Sequence, residues 1–325
     1  MTIFITVLLF VLGLVLIVKG GDWFVDAASW FAEISGIPKF IVGATIVSLA
    51  TTLPELLVSV FAAAEGSVDI SVGNAVGSVT ANLGLIMGIS IVCIPAVIKR
   101  RQMAPKAIMM LAAAAVLVVS GLLWKSVGLI PSIILMLSFA FYIYENIVSA
   151  KRSTDQPIVE LSDSTTVKKK DVTKNIIMFV LGAVGIVAGA QLLVNEGTEL
   201  AKLFGVPERI IGVTLIAVGT SLPELVTTLT AIAKKQSSLS IGNIIGANII
   251  DLTLILPVSS LISGKALPIA SASAYIDIPI CLLIGLVAVI PALISKKFNR
   301  LQGISMLLIY IVYVIITCTL VGNAA

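Results

Sequence analysis

The sequence predicts an all-α polytopic membrane protein, with ten transmembrane helices built as two inverted five-helix repeats. Three observations predict it. Of the 325 residues, 58% are hydrophobic and 12% charged, against roughly 45–50% and 25% in soluble domains, and the mean hydropathy is +1.14. Apolar runs long enough to span a bilayer recur along the whole chain. The two halves also align without a gap through three spans when the sequence is shifted by 169 positions.

The ten spans are 2–20, 38–63, 70–97, 104–124, 127–149, 174–193, 209–233, 239–262, 274–294 and 301–322. The first run lacks the basic flank and small-residue cleavage pattern of a signal peptide, so it stands as helix one. The polar stretch 150–173 separates a first repeat, 1–149, from a second, 174–325, and reads as a solvated cytoplasmic linker. Ten spans place both termini on one side. Seventeen of the 21 Lys and Arg lie in loops after odd-numbered helices, and only Lys125, Lys202, Arg209 and Lys265 lie on the other side. The positive-inside rule then predicts a multi-pass protein of the cell membrane with extracellular termini and cytoplasmic basic loops.

Composition excludes several functions. A soluble globular enzyme and a disordered chain are ruled out by hydropathy. No histidine is present, which removes the usual proton relay and the usual ligand of zinc, copper and haem. Cys93, Cys281 and Cys318 lie far apart in apolar runs and read as packing residues.

The repeat locates the chemistry. Gly36-Ile37-Pro38 meets Gly205-Val206-Pro207, Thr51-Thr52-Leu53-Pro54-Glu55 meets Thr220-Ser221-Leu222-Pro223-Glu224, Gly73-Asn74 meets Gly242-Asn243, and Asn82 meets Asp251. Chance similarity between apolar segments matches Leu, Val and Ile, not Pro, Glu, Gly and Asn in register. An odd number of spans per half inverts the second repeat, the plan of many secondary transporters.

Glu55, Asn82, Glu224 and Asp251 fall deep within expected spans. A charge there costs at least roughly 2.5–3.5 kcal/mol on insertion scales. No Lys or Arg lies at comparable depth, so a bound cation is the simplest counter-charge. Pro54 and Pro223 precede the glutamates and interrupt the helical ladder at Ala50 and Gly219. Thr51, Thr52, Thr220 and Ser221 add hydroxyls at the same breaks. Asn74, Ser78 and Asn82 share one helical face, matched by Asn243, Ala247 and Asp251. Gly73, Gly77, Gly242 and Gly246 would let neighbouring helices approach these faces. Carboxylate, amide, hydroxyl and carbonyl oxygens suit a hard cation, calcium or sodium.

At these residues the chain resembles the sodium/calcium exchanger family of the cation/calcium antiporters. Gly219-Thr220-Ser221-Leu222-Pro223-Glu224 fits that family's first signature, and Gly242-Asn243-Ile244-Ile245-Gly246 with Asn248 and Asp251 looks like the second. The resemblance implies a midplane diamond at Glu55, Asn82, Glu224 and Asp251. It further implies supporting oxygens on Thr51, Thr52, Ser78, Thr220 and Ser221 and main-chain carbonyls near Ser48 and Ala217. It implies electrogenic exchange of several sodium ions for one calcium ion by alternating access. Ala50, Thr52 and Ala247 depart from the family pattern, which leaves ion coupling open. Proton/calcium and potassium-dependent antiport are the alternatives. Calcium and sodium ions and the lipid bilayer are the expected partners, with no cofactor, nucleic acid or protein partner. No separate catalytic signature accompanies the acids, so the protein is not expected to be an enzyme.

Overall fold

A computed structural model describes residues 3–66, 68–154, 169–204 and 219–323. Its helices are α1 (Ile3–Ser35), α2 (Lys39–Thr51, with a π-helical stretch at Gly43–Val47) and α3 (Leu53–Ala64). Next come α4 (Val68–Ala81, continued through a π-helical stretch Asn82–Met87 and Gly88–Cys93), α5 (Arg100–Leu123), α6 (Leu129–Thr154) and α7 (Lys169–Leu203). The last four are α8 (Leu222–Ala233), α9 (Ser237–Ile250, continued through a π-helical stretch Asp251–Ile255 and Leu256–Ser263), α10 (Ser273–Ser295) and α11 (Arg300–Asn323).

Among the described residues eight helices are long and apolar enough to cross a membrane, or nine when α2 and α3 count as one broken span. Every expected span overlaps one of these helices. The seventh is represented by α8, whose 12 residues are too short to span alone. Residues 209–218 of that expected span lie outside the described residues, as do the Gly205-Val206-Pro207 match and most of the linker, 155–168.

Two helices run well past the expected ends. α1 has 33 residues and α7 has 35, each about 50 Å at 1.5 Å per residue. The charges that mark the sequence-based ends do not break a helix. Asp22, Asp26 and Glu33 lie on the last turns of α1, where Lys234 reaches Asp26 at 2.8 Å and Asp22 at 3.3 Å, and Lys39 reaches Glu33 at 2.8 Å. α1 ends where Gly36 takes a left-handed φ of 68° ahead of Pro38.

The chain divides into two compact units that do not coincide with the repeats. One holds residues 1–51 with 143–243, and the other 52–142 with 244–325. In the first unit α1 packs along α7 at distances only glycine permits. A Cβ on Gly20 would stand 2.8 Å from the Gly182 carbonyl oxygen, and one on Gly182 would stand 2.7 Å from the Phe24 nitrogen. Gly13 and Gly189 repeat the contact two turns away. Phe24, Val25, Ala28, Ile186 and Ala190 form the buried core beside it. Helices in lipid have no hydrophobic drive to associate, so such backbone contact supplies the attraction.

Lys234, at the end of α8, clasps α1 through Asp22 and Asp26. Burial alone would lower the Lys234 pKa, but Asp26 and Asp22 outweigh it and hold it above 10.5. The clasp is therefore complete below the unfolded value, about 10.4, and is lost as pH rises past the folded one. Half-exposed pairs contribute at most about 1 kcal/mol. Lys234→Met is thus expected to lower Tm by no more than about 3 °C, with the difference shrinking in 1 M salt. Thermal melts at two ionic strengths check this; a salt-independent fall of ten degrees, on the order of several kcal/mol, would contradict it.

In the second unit α3, α4 and the Asp251–Ser263 part of α9 pack against one another. α11 lies on Asn82–Met87 and Gly88–Cys93. Two backbone ties join loops of this unit. β1 (Ser126–Val127) pairs antiparallel with β2 (Leu267–Pro268), and Val97 bridges Lys297. Shifting each partner of Val127–Leu267 by 169 gives the pair 296–98, which lies on the same register as Val97–Lys297.

The 169-residue offset recurs in the helices. It superposes the bounds of α3 on α8 and those of Val68–Ala81 on Ser237–Ile250. It also carries the left-handed Gly66 onto the left-handed Lys235.

Candidate ion-binding site

The glutamates are placed by helix breaks. α2 ends at Thr51, Thr52 caps α3, and Pro54 stands in the first turn of α3. In the second repeat Ser221 caps α8, with Pro223 in its first turn. Proline at the start of a helix forfeits no hydrogen bond and fixes the entering φ. The expected interruption is therefore a clean restart, and Glu55 and Glu224 occupy the first turn of the new helix. Both are fully buried. The free N–H groups and positive dipole end of each helix favour a carboxylate there over any other helix position.

Asn82 and Asp251 each open a π-helical stretch. Such a stretch widens the backbone ladder by one residue and often marks a functional site. Both side chains are buried, Asn82 to 1% exposure and Asp251 to 0%.

Within the second unit the geometry groups Glu55, Asn82, Asp251, Thr52 and Ser78, all buried, on the mutually packed α3, α4 and α9. Asn74 donates its amide to the Glu55 backbone oxygen at 3.1 Å and to Ser59 Oγ at 2.9 Å. Ser71 Oγ donates to the Ser59 carbonyl at 2.8 Å. The polar stripe of α4 thus splits into two tasks. Its first part ties α3 in place, and Ser78 and Asn82 remain. The hydroxyl of Ser78 and both amide atoms of Asn82 are buried and have no hydrogen-bond partner among the described residues. Asn248, one turn before Asp251, is in the same condition.

Within the first unit the last turn of α2, Ser48–Thr51, packs on α8. Ser48, Thr51, Ser221 and Glu224 are buried there, and Thr220 is half-buried. Thr51 Oγ1 donates to Asn243 Oδ1 at 3.2 Å. The hydroxyls of Ser221, Thr227 and Thr228 have no hydrogen-bond partner among the described residues. Ala217 lies outside those residues. Gly242 meets the Phe40 backbone, an approach a Cβ would block. Gly73 and Gly77 meet nothing within 4 Å among the described residues, and the repeat counterpart of Phe40 is position 209, outside them.

Each unit thus holds a mixed oxygen set of carboxylate, amide and hydroxyl. No group of three His, Cys, Asp or Glu capable of holding a metal occurs among the described residues. Buried polar atoms without partners are costly unless a ligand or water meets them. Asn82, Asn248, Ser78 and Ser221 are such atoms, and all are oxygen or amide donors suited to a hard cation. Sequence reasoning gave Asn248 no separate place in the donor set and passed over Thr227 and Thr228. Their signal is helical spacing: three or four residues from Asp251 or Glu224 puts them on the same face.

Comparison with known proteins bears on this site. A family profile described as "Sodium/calcium exchanger protein" matches residues 5–148 and 174–319. A sodium/calcium exchanger of Methanosarcina acetivorans is 30% identical over 342 aligned residues, covering 95% of this chain and 97% of that protein. An uncharacterized membrane protein of Methanocaldococcus jannaschii is 30% identical, covering 93% of this chain and 95% of that protein. A solved structure of the sodium-calcium exchanger NCX_Mj superposes with a TM-score of 0.81 at 29% identity, covering 96% of this chain and 98% of that one.

Proposed function

The chain belongs to the sodium/calcium exchanger protein family, and from that premise we propose that it exchanges sodium for calcium across the membrane by alternating access. It is a multi-pass membrane transporter, not an enzyme. Its ions are substrates of transport. The observation that carries the reading is the duplicated buried oxygen set: Glu55 and Asn82 in one repeat, Glu224 and Asp251 in the other, at one offset and in matching helical contexts.

In this reading Glu55, Asn82, Glu224 and Asp251 bind the transported cations. Thr51, Thr52, Ser78, Thr220 and Ser221 support them, with carbonyls near Ser48 and Ala217. Ten helices in two inverted repeats present the set from opposite faces, with extracellular termini and cytoplasmic basic loops. The element bounds that recur at the 169-residue offset support the duplication.

The mechanism follows from charge. Three ionised acids give the set a formal charge of about −3. Closing it empty away from water is costly, because each buried ion carries a desolvation penalty of several kcal/mol. Calcium or sodium offsets that charge, so loaded forms cross between the two access states and the empty form does not. Competition of the two ions for shared oxygens makes the exchange obligatory, and several sodium ions against one calcium makes it electrogenic.

The test is radiolabelled calcium uptake into sodium-loaded proteoliposomes, with external sodium replaced by choline, by potassium, or by a proton gradient. Uptake should follow the outward sodium gradient and stop without it. Uptake driven by protons, or dependent on potassium, would retain the oxygen set and overturn the sodium-only coupling.

A further inference from the structure

Within the second unit, a cavity of about 400 Å3 opens between the first turns of α6 and the last turns of α9. Leu129, Ile133, Met136 and Leu261 line it. Leu129 and Leu261 are 75% and 79% exposed, so in a membrane they face acyl chains. Three polar residues, Ser132, Ser260 and Lys265, interrupt this apolar wall. Ser132 is 9% exposed, and its hydroxyl has no hydrogen-bond partner among the described residues. Lys265 stands at the mouth.

The loop that carries Lys265 is held firmly. Gly264 ends α9 in a left-handed turn, with φ of 64°. The Lys265 carbonyl accepts the hydroxyls of Ser260 at 3.1 Å and Ser263 at 3.0 Å, and the Lys265 N–H donates to Ser263 Oγ at 3.3 Å. The β1–β2 pairing fixes the same loop against the start of α6. The main chain that carries the Lys265 side chain is thus held in place. A second cavity adjoins at Leu129 and is bordered by Trp124, a residue type that marks the depth of lipid headgroups. Among the described residues no Asp or Glu lines either cavity.

We propose that this groove seats one anionic phospholipid, with an acyl chain along Leu129, Ile133, Met136 and Leu261 and its headgroup charge at Lys265. The apolar wall cannot by itself select a lipid, because the bulk bilayer offers the chain an equally apolar setting. Selection rests with the headgroup. The site holds a cation carried on a braced loop, an unpartnered buried hydroxyl and no acid among the described residues, so it favours a negative headgroup over a zwitterionic one. The choline ammonium of a zwitterionic headgroup offsets its phosphate's attraction to Lys265, and an anionic headgroup carries no such offset.

The experiment is native mass spectrometry of the delipidated full-length protein, with phosphatidylglycerol or phosphatidylcholine added at equal concentration. The first bound lipid should show about a fivefold preference for phosphatidylglycerol, which corresponds to the ~1 kcal/mol of one lysine near a lipid surface. Lys265→Gln should bring the ratio to about one while binding continues. Met136→Trp, which fills the groove, should reduce retention of both lipids. Thermal melts of both variants verify that they are folded. Equal retention of the two lipids by the unaltered protein would overturn the proposal. So would a preference that survives Lys265→Gln, or undiminished retention in a folded Met136→Trp protein.

Discussion

Glu224→Gln is expected to lose calcium exchange by more than about 100-fold, since even outer partners of a metal site cost 10–100-fold when removed, while the protein stays folded. Gln keeps the shape of Glu224 in the first turn of α8 and removes its charge. Both residues fit the fully buried position, so packing is preserved. Under the proposed function the lost quantity is the negative charge that offsets a bound cation, together with the favourable interaction of that charge with the α8 N-terminus. Removing a fully buried charge relieves its desolvation, so Tm should hold or rise in the ion-free protein. Glu55→Gln should behave alike, because Glu55 opens α3 as Glu224 opens α8. Uptake into sodium-loaded proteoliposomes, paired with thermal melts with and without calcium, reads both effects. Calcium should raise the Tm of the unaltered protein and leave the variants unmoved. Exchange at the unaltered rate in either variant would remove that glutamate from the site.

The second large effect lies between α1 and α7. Gly182→Ala places a methyl 2.7 Å from the Phe24 nitrogen and 2.8 Å from the Gly20 carbonyl oxygen. Both neighbours are backbone, so the helices themselves must separate. Overpacking of this kind costs about 1–3 kcal/mol. In lipid the lost contact has no hydrophobic compensation. Gly20→Ala meets the mirror situation, 2.8 Å from the Gly182 oxygen. The two changes share one contact, so their effects should fall short of additive. Gly185→Ala, whose Cβ would stand 3.3 Å from Gly20 Cα, should cost less than either. Thermal melts in detergent order the three, and a Gly185→Ala protein less stable than Gly182→Ala would contradict the contact geometry.

Much of this architecture is legible in the sequence because lipid imposes one-dimensional rules. Every described spanning helix overlaps a predicted apolar run, and the breaks at Thr52 and Ser221 follow from Pro54 and Pro223. The burial of Glu55, Asn82, Glu224 and Asp251 follows from the depth of those residues in their runs. Other features depend on tertiary partners. The last turns of α1 read as loop because Asp22 and Asp26 are charged, and only Lys234, 208 positions beyond Asp26, explains them. Asn74 reads as a candidate neighbour of the glutamates, and its amide does reach Glu55, at the backbone oxygen rather than the carboxylate, with a second bond to Ser59 Oγ. The compact units divide after Thr51, after Tyr142 and after Asn243, within segments where hydropathy shows no boundary. Repetition in sequence and compactness in space are separate properties of this chain.

The paired loop ties have a consequence for how the two halves can diverge. Val127–Leu267 and Val97–Lys297 share a register under the 169-residue shift, yet side chains at matched positions differ, with Lys296 standing for Val127 and Lys297 for Gly128. Main-chain hydrogen bonds carry the match: Ile98 N–H to the Lys296 carbonyl at 3.0 Å, Phe298 N–H to the Ala96 carbonyl at 2.9 Å, and Ile269 N–H to the Lys125 carbonyl at 2.8 Å. Any residue with an N–H can serve at a donor position, and proline alone is barred. The clamp therefore tolerates almost unlimited drift in side-chain identity, and each copy can acquire its own surface chemistry without loosening the helices it fastens.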